Sequence, residues 1–300
     1  MCKNEHHAGA GRQTAGESSQ GVCMMQLYYE AADGTILNLM QNGIYAQDPE
    51  ALTQNTWSYT TISGVNGLAR VKRFYKNVQT AKMKLSIMAA DKEEFNAIMY
   101  TMHRIFEKDV RNMTPGKIWW NNFYKEGFVH STSNDDYEEL FESVEHEIEF
   151  LSVNPSWIRK TTYQYRAQAN ETGTLDYPRD YGYDYDRSEI IEILNNQCIG
   201  ESNFELIFYG AAVDPQITIG GNIYGLETTL KDGEYATVNS ITKKIRQYSV
   251  TGEEKNIFDK RDRENNIFQK MPEGTLPVLR SKDTQVDITL YDERGEPEWI

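Results

Sequence analysis

Residues 204–224 read FELIFYGAAVDPQITIGGNIY. Two short apolar runs, Phe204–Tyr209 and Gln216–Ile219, are followed by Gly220-Gly221 and a third run from Asn222. A Gly-Gly pair between apolar runs is a tight turn, because glycine reaches positive φ at low steric cost. The pattern continues in both directions. Glu189–Leu194 precedes it; Asn222–Leu230, Glu234–Asn239, Lys243–Ser249 and Gln285–Tyr291 follow. Asp232-Gly233, Thr251-Gly252-Glu253 and Pro272-Glu273-Gly274 supply turns. Short strands at regular spacing predict a β-sandwich or jelly roll.

Upstream the reading changes. Gln26–Ala31 and Thr35–Met40 flank Asp33-Gly34, a hairpin signal. Trp57–Ile62 and Leu68–Tyr75 read as strands. Ala81–Ala89 alternates Met83, Leu85 and Ile87 with Lys82, Lys84 and Ser86, a half-buried strand. The one convincing helix spans about 92–111. Asp91 is a good N-cap, and Glu94 three residues on completes a near capping box. Phe95, Ile98, Met99, Met102, Ile105 and Phe106 form one apolar stripe, which is expected to pack on a sheet. Thr114-Pro115-Gly116 ends it. Lys117–Asn122, Glu126–His130 and Val144–Val153 read as strands, with an acidic stretch at 134–142.

These readings divide the chain into a 1–25 extension, a first β domain with one helix over 26–157, a Tyr-rich connector over 158–186 and a second sandwich over 187–300. The extension has no periodicity and is expected to be disordered. Met24-Met25 offers an alternative translation start.

The composition excludes several classes. The 300 residues carry 31 Lys and Arg against 45 Asp and Glu, a formal charge of −14. The halves 1–157 (14 basic, 20 acidic) and 158–300 (17 basic, 25 acidic) are −6 and −8, so no single tail makes the chain acidic. Specific nucleic-acid binding wants a basic patch, and an anionic membrane surface wants the same. A mean hydropathy of −0.66, with no apolar run near 18 residues, gives no transmembrane helix. Three cysteines, Cys2, Cys23 and Cys198, are too few for a disulfide framework. Nineteen tyrosines against eight prolines favour a strand-rich, interface-rich protein.

Motifs for chemistry are absent. The sequence has no G-x-S-x-G, no Gly-rich phosphate loop and no H-x-x-x-H. His6, His7, His103, His130 and His146 lack metal-ligand spacing, and Asp180, Asp184 and Asp186 lack the Gly and Glu of a calcium loop. Cys198 reads as a packed small hydrophobe. No catalytic residue, cofactor or metal is expected. One strand stands out. Glu145, Glu147 and Glu149 share a face opposite Val144, His146, Ile148 and Phe150. Such a face is either water-facing or a wall kept negative, for example one lining a passage for DNA.

The second region carries a resemblance. Phe204–Gly210, Asp214–Tyr224, Gly233-Glu234-Tyr235, Asn256–Arg261, Ile267–Gly274 and the terminal Tyr291–Ile300 follow in order. With the aromatic lead-in Tyr177–Asp186, this series over about 176–300 resembles the C-terminal domain of the siphophage distal tail protein family. The first region is similar in plan alone, and residues 1–23 have no counterpart.

The resemblance implies a mainly β fold: an N-terminal belt β-sandwich with one helix, then a galectin-like C-terminal β-sandwich. It implies a structural virion protein and not an enzyme. It implies a homo-hexameric ring at the distal end of a long non-contractile tail, made in the bacterial host cytoplasm. The implied partners are the tail tube protein, a tail-associated lysin or other tail-tip protein, and a receptor-binding protein. Glu145, Glu147 and Glu149 are then candidates to line the channel, and Trp299 is expected to pack back on the sandwich. The rival is a carbohydrate-binding protein for host-wall adhesion, which needs an exposed aromatic ring beside polar donors on the second sandwich. Six copies at −14 sum to 6 × −14 = −84 around one axis. Such self-repulsion opposes assembly unless the acids face solvent or meet a neighbour's bases.

Overall fold

The computed structural model describes residues 25–64, 67–134, 144–167 and 189–298. The 1–24 segment, most of the acidic stretch, Tyr177–Asp186 and Trp299 lie outside the described residues.

The first region forms β1 (Leu27–Glu30), β2 (Ile36–Asn38), β3 (Ile44–Ala46), β4 (Ser58–Ser63), β5 (Ala69–Tyr75), β6 (Gln79–Ile87), α1 (Lys92–Asn112), β7 (Gly116–Trp120), β8 (Phe123–Asn134) and β9 (Val144–Ser152). β1 and β2 make the hairpin that Asp33-Gly34 predicts. The antiparallel order is β2-β1-β7-β8-β9-β6-β3. Ala46 N donates to Leu39 O at 2.8 Å, so β3 returns beside the end of β2. β8 makes the corner: it pairs with β7 as far as Gly127 and with β9 from Phe128. The register slips at His130, a bulge that bends the strand.

α1 starts and stops where its caps dictate. Asp91 accepts from Glu94 N at 2.8 Å, and Glu94 accepts from Ala90 N at 2.7 Å. Met113 closes the helix in the left-handed region. Its stripe buries Phe95, Met102, Ile105 and Phe106 against a core that includes Met83, Leu85, Trp120, Phe123 and Phe150. Ile98 and Met99 pack at the margin. Each large apolar side chain buried there contributes about 1.5–3 kcal/mol.

The second region forms β10 (Trp157–Tyr165), β11 (Glu189–Asn196), β12 (Asn203–Tyr209), β13 (Ala212–Val213), β14 (Gln216–Ile219), β15 (Asn222–Gly225), β16 (Thr229–Leu230), β17 (Tyr235–Asn239), β18 (Lys244–Tyr248), β19 (Glu254–Asn256), β20 (Gly274–Ser281) and β21 (Gln285–Arg294). One layer runs β19-β18-β17-β12-β21-β10, and the other β11-β20-β14-β15. The inward Phe204, Leu206, Phe208, Val238 and Ile288 share one core with Ile217, Ile219, Tyr224 and Val278. This is a mainly β, sandwich-type protein. Gly220 and Gly221 take φ of +57° and +89°, as the β14–β15 turn requires. Cys198 is buried in this core, which pushes its thiol pKa up.

Two strands differ instructively from the sequence reading. The connector expected at 158–186 begins as a strand: β10 pairs residue for residue with β21, from Trp157↔Arg294 to Tyr165↔Val286. Its buried side chains sit at its two ends, so no alternating apolar run announces it. β20 was hidden by Pro277. The Pro277 carbonyl accepts from Gly220 N at 3.0 Å, so the missing N–H faces the β14–β15 turn and no ladder bond is lost. β10 also joins the regions through a bridge, Ile158↔Tyr124. There Tyr124, Ile158 and Tyr291 form a small core of their own, with Trp119 against it.

Candidate assembly interface

The three glutamates stand on β9 as the alternation requires, but they do not stand alone. β6 lies beside them and presents Lys82 and Lys84 on the same face. Lys82 Nζ reaches Glu147 at 3.1 Å and Glu149 at 2.6 Å, and Lys84 Nζ reaches Glu145 at 3.1 Å. The bulge at His130 brings its Nε2 within 3.6 Å of Glu149. Lys82 holds the Glu149 carboxyl below its ordinary pKa, mainly through their hydrogen bond. Three carboxylates and two ammoniums leave −3 + 2 = −1 on this face. It is a mixed-charge ladder. The sequence could have shown it, since Lys82 and Lys84 were already on the polar face of their strand.

Behind that face His146 is fully buried. Its Nδ1 meets Asn134 Oδ1, so Nδ1 carries the proton, and Nε2 has no partner among the described residues. Its ring meets the edge of His103 at 5.4 Å. Burial first, and His103 second, push its pKa from 6.5 to about 4. The folded state therefore binds fewer protons than the unfolded state between those values. Stability is complete above pH 6.5 and falls as pH drops toward 4, by about 3 kcal/mol in all. Urea midpoints at pH 7 and 4.5 should show this loss, and His146→Phe should reduce it. Equal losses in both proteins would refute the assignment.

The most unusual element is β4–β5. The two strands pair with each other, Ser58↔Tyr75 to Ser63↔Ala69, and with no other strand among the described residues. An isolated two-stranded hairpin is marginal in water. Here it also exposes apolar side chains: Trp57, Tyr59, Ile62, Val71, Phe74 at 61% and Leu68 at 73%. Tyr59 and Phe74 face each other across the ladder, ring centroids 6.3 Å apart. Residues 55–80 contain Arg70, Lys72, Arg73 and Lys76 and no acid, a local +4 in a chain of −14. Both strands were legible in the sequence. Their isolation was not, although the missing acids were a signal.

The carbohydrate reading finds less support. A cavity of about 810 Å³ opens beside β13, β14, β16 and β20 and is lined by Asp214, Lys231, Asp283 and Arg280 among others, with no aromatic ring. Tyr209, Tyr235 and Tyr248 align across β12, β17 and β18. Tyr235 and Tyr248 stack on each other at 4.8 Å, which occupies one face of each ring. Among the described residues no cluster of three metal-ligating side chains occurs, and no helix is long and apolar enough to cross a membrane.

Neither a family model nor a curated protein sequence matches the chain. Solved structures do. The SPP1 Dit protein, described as a paradigm of the hub adsorption apparatus in phages infecting Gram-positive hosts, aligns over 90% of this chain and 98% of its own, with a TM-score of 0.55 and 9% identity. The chain shares the fold of that hub protein. A chain of the phage P2 baseplate in its activated conformation with calcium aligns over 88% of this chain and 97% of its own, with a TM-score of 0.56 and 12% identity. The strontium form of that baseplate gives the same values. The hub fold thus spans both regions, including the first, where the sequence resembled the family in plan alone.

Proposed function

We propose that this chain is a structural hub at the distal end of a long non-contractile phage tail. Six copies close a ring that joins the tail tube protein to the tail-tip or baseplate proteins, among them a tail-associated lysin and a receptor-binding protein. It is made in the host cytoplasm and resides in the virion. The role is assembly and not catalysis. The observation that carries this reading, beside the hub fold, is the β4–β5 arm. A basic, apolar ribbon that joins no other strand among the described residues suits a neighbouring copy of an acidic chain. Head-to-tail contacts of this kind close into rings when the rotation closes. The arm also answers the charge problem, because each copy offers bases to its neighbour's acids.

The Glu145, Glu147 and Glu149 face is proposed as part of the passage wall, now as a mixed-charge wall with Lys82 and Lys84. Negative-stain microscopy of the purified full-length chain is expected to show six-fold rings with an open centre. Monomers at micromolar concentration would overturn the hub reading. Rings with those glutamates on the outer rim would remove only the wall.

A further inference from the structure

Lys125 is a buried cation without a counter-charge. It lies on β8 and is 4% exposed. Its Nζ donates to Leu52 O at 2.7 Å and sits 4.7 Å from the centre of the Trp157 ring. An ammonium has three donors, and among the described residues that carbonyl is its one acceptor. No carboxylate pairs with it among the described residues. A second cation stands near. Lys76, at the foot of the arm, donates to Ser156 Oγ at 3.0 Å and lies 5.0 Å from the Trp57 ring. Burial, with a smaller push from Lys76, lowers the Lys125 pKa to about 8. The acid that acts on Lys76 is Glu293. At pH 7 Lys125 remains mostly charged.

A cavity of about 210 Å³ opens against Lys125. Its other polar lining includes Gln54, Thr56, Gln79, whose amide also donates to Thr56 O at 3.4 Å, and Ser152, and no Asp or Glu lines it. The Ser152 hydroxyl is already engaged with Glu126 O and Asn154 O. Amides and hydroxyls around one ammonium make a donor-rich, electropositive pocket. Burying a charge without a partner is costly, so proteins pair such groups or solvate them. The cavity has room for several waters or one small tetrahedral anion.

We infer that this cavity binds a small oxyanion of the phosphate, sulfate or carboxylate class, held by the Lys125 ammonium with Gln79 as a flanking donor. Charge-assisted hydrogen bonds to an oxyanion are stronger than those to water, and the anion neutralises the buried charge.

The test is equilibrium dialysis of radiolabelled inorganic phosphate against the full-length protein at pH 7, with sodium chloride holding ionic strength constant. The wild type is expected to bind one phosphate per chain, saturably. Lys125→Met, which keeps the volume and removes the charge, should bind at least about tenfold more weakly. Gln79→Glu places a carboxylate at the cavity wall and should also abolish binding, while raising the melting temperature by giving Lys125 a partner. It keeps the test decisive if Lys125→Met does not fold. A wild type without saturable binding overturns the site and means that water alone fills the cavity. Undiminished binding in the folded variants overturns it equally.

Discussion

Tyr59→Ser with Phe74→Ser is expected to leave the chain folded and to break the proposed ring into single copies. The two rings face each other on the free arm, and Phe74 is 61% exposed in the single chain. Substitutions at such exposed positions shift stability by roughly 0.5 kcal/mol or less. In a ring the same side chains would be covered by a neighbour, where each contributes about 1.5–3 kcal/mol. Losing both weakens every contact by about 4 kcal/mol, close to a thousandfold in dissociation constant. Mass photometry at micromolar concentration should find mostly monomers, with an unchanged melting curve. Rings of undiminished population would sink the arm as the contact. High salt should act in the same direction, because Arg70, Lys72 and Arg73 lie in the open, where ions screen them.

The second large effect lies inside the first core. Asp109, on the last turns of α1, is 2% exposed and continues the buried stripe past Phe106 as a polar residue. Its Oδ2 accepts from the Tyr29 hydroxyl at 2.7 Å, and its Oδ1 from Ala32 N at 3.1 Å. It thereby ties α1 to β1 and to the turn that follows. The third partner is a gap. A Cβ on Gly116 would lie 2.2 Å from the Tyr29 oxygen and 2.8 Å from Asp109 Oδ2, so only glycine admits this contact. Asp109→Ala leaves a buried hydroxyl unpaired and should cost about 3 kcal/mol. For a domain of this size the melting temperature should fall by about 10 °C. Asp109→Asn keeps one acceptor oxygen and turns the other into a donor amide, so it should recover only part of that loss. A cycle with Tyr29→Phe should show about 1–3 kcal/mol of coupling. Additive losses would mean that the Tyr29–Asp109 bond is not what stabilises the joint.

Much of this was visible in local pattern. The β1–β2 hairpin follows from Asp33-Gly34, α1 from a stripe and a cap, and β14–β15 from a glycine pair. Each uses neighbours within a few residues, which is the range over which periodicity and turn chemistry operate. The elements missed depend on partners far away. β10 is a strand because β21, more than a hundred residues later, pairs with all of it. β20 tolerates Pro277 because a turn stands where a strand would need an N–H. The acidic face of β9 looked bare because its lysines lie on β6, some 65 residues earlier.

The sequence by itself determined the class: a β-rich, acidic chain in two regions with one helix, and a terminal region resembling a tail family. Composition and short-range spacing suffice for that, since they set which residues can be inside and how each short segment repeats. The tertiary structure alone decided which groups each surface brings together. Among the described residues it left one basic hairpin without a larger sheet, gave the glutamates counter-ions, and buried Lys125 without one. Those outcomes depend on which distant strands become neighbours. Pairing and desolvation act through space, so no local window of the sequence contains them.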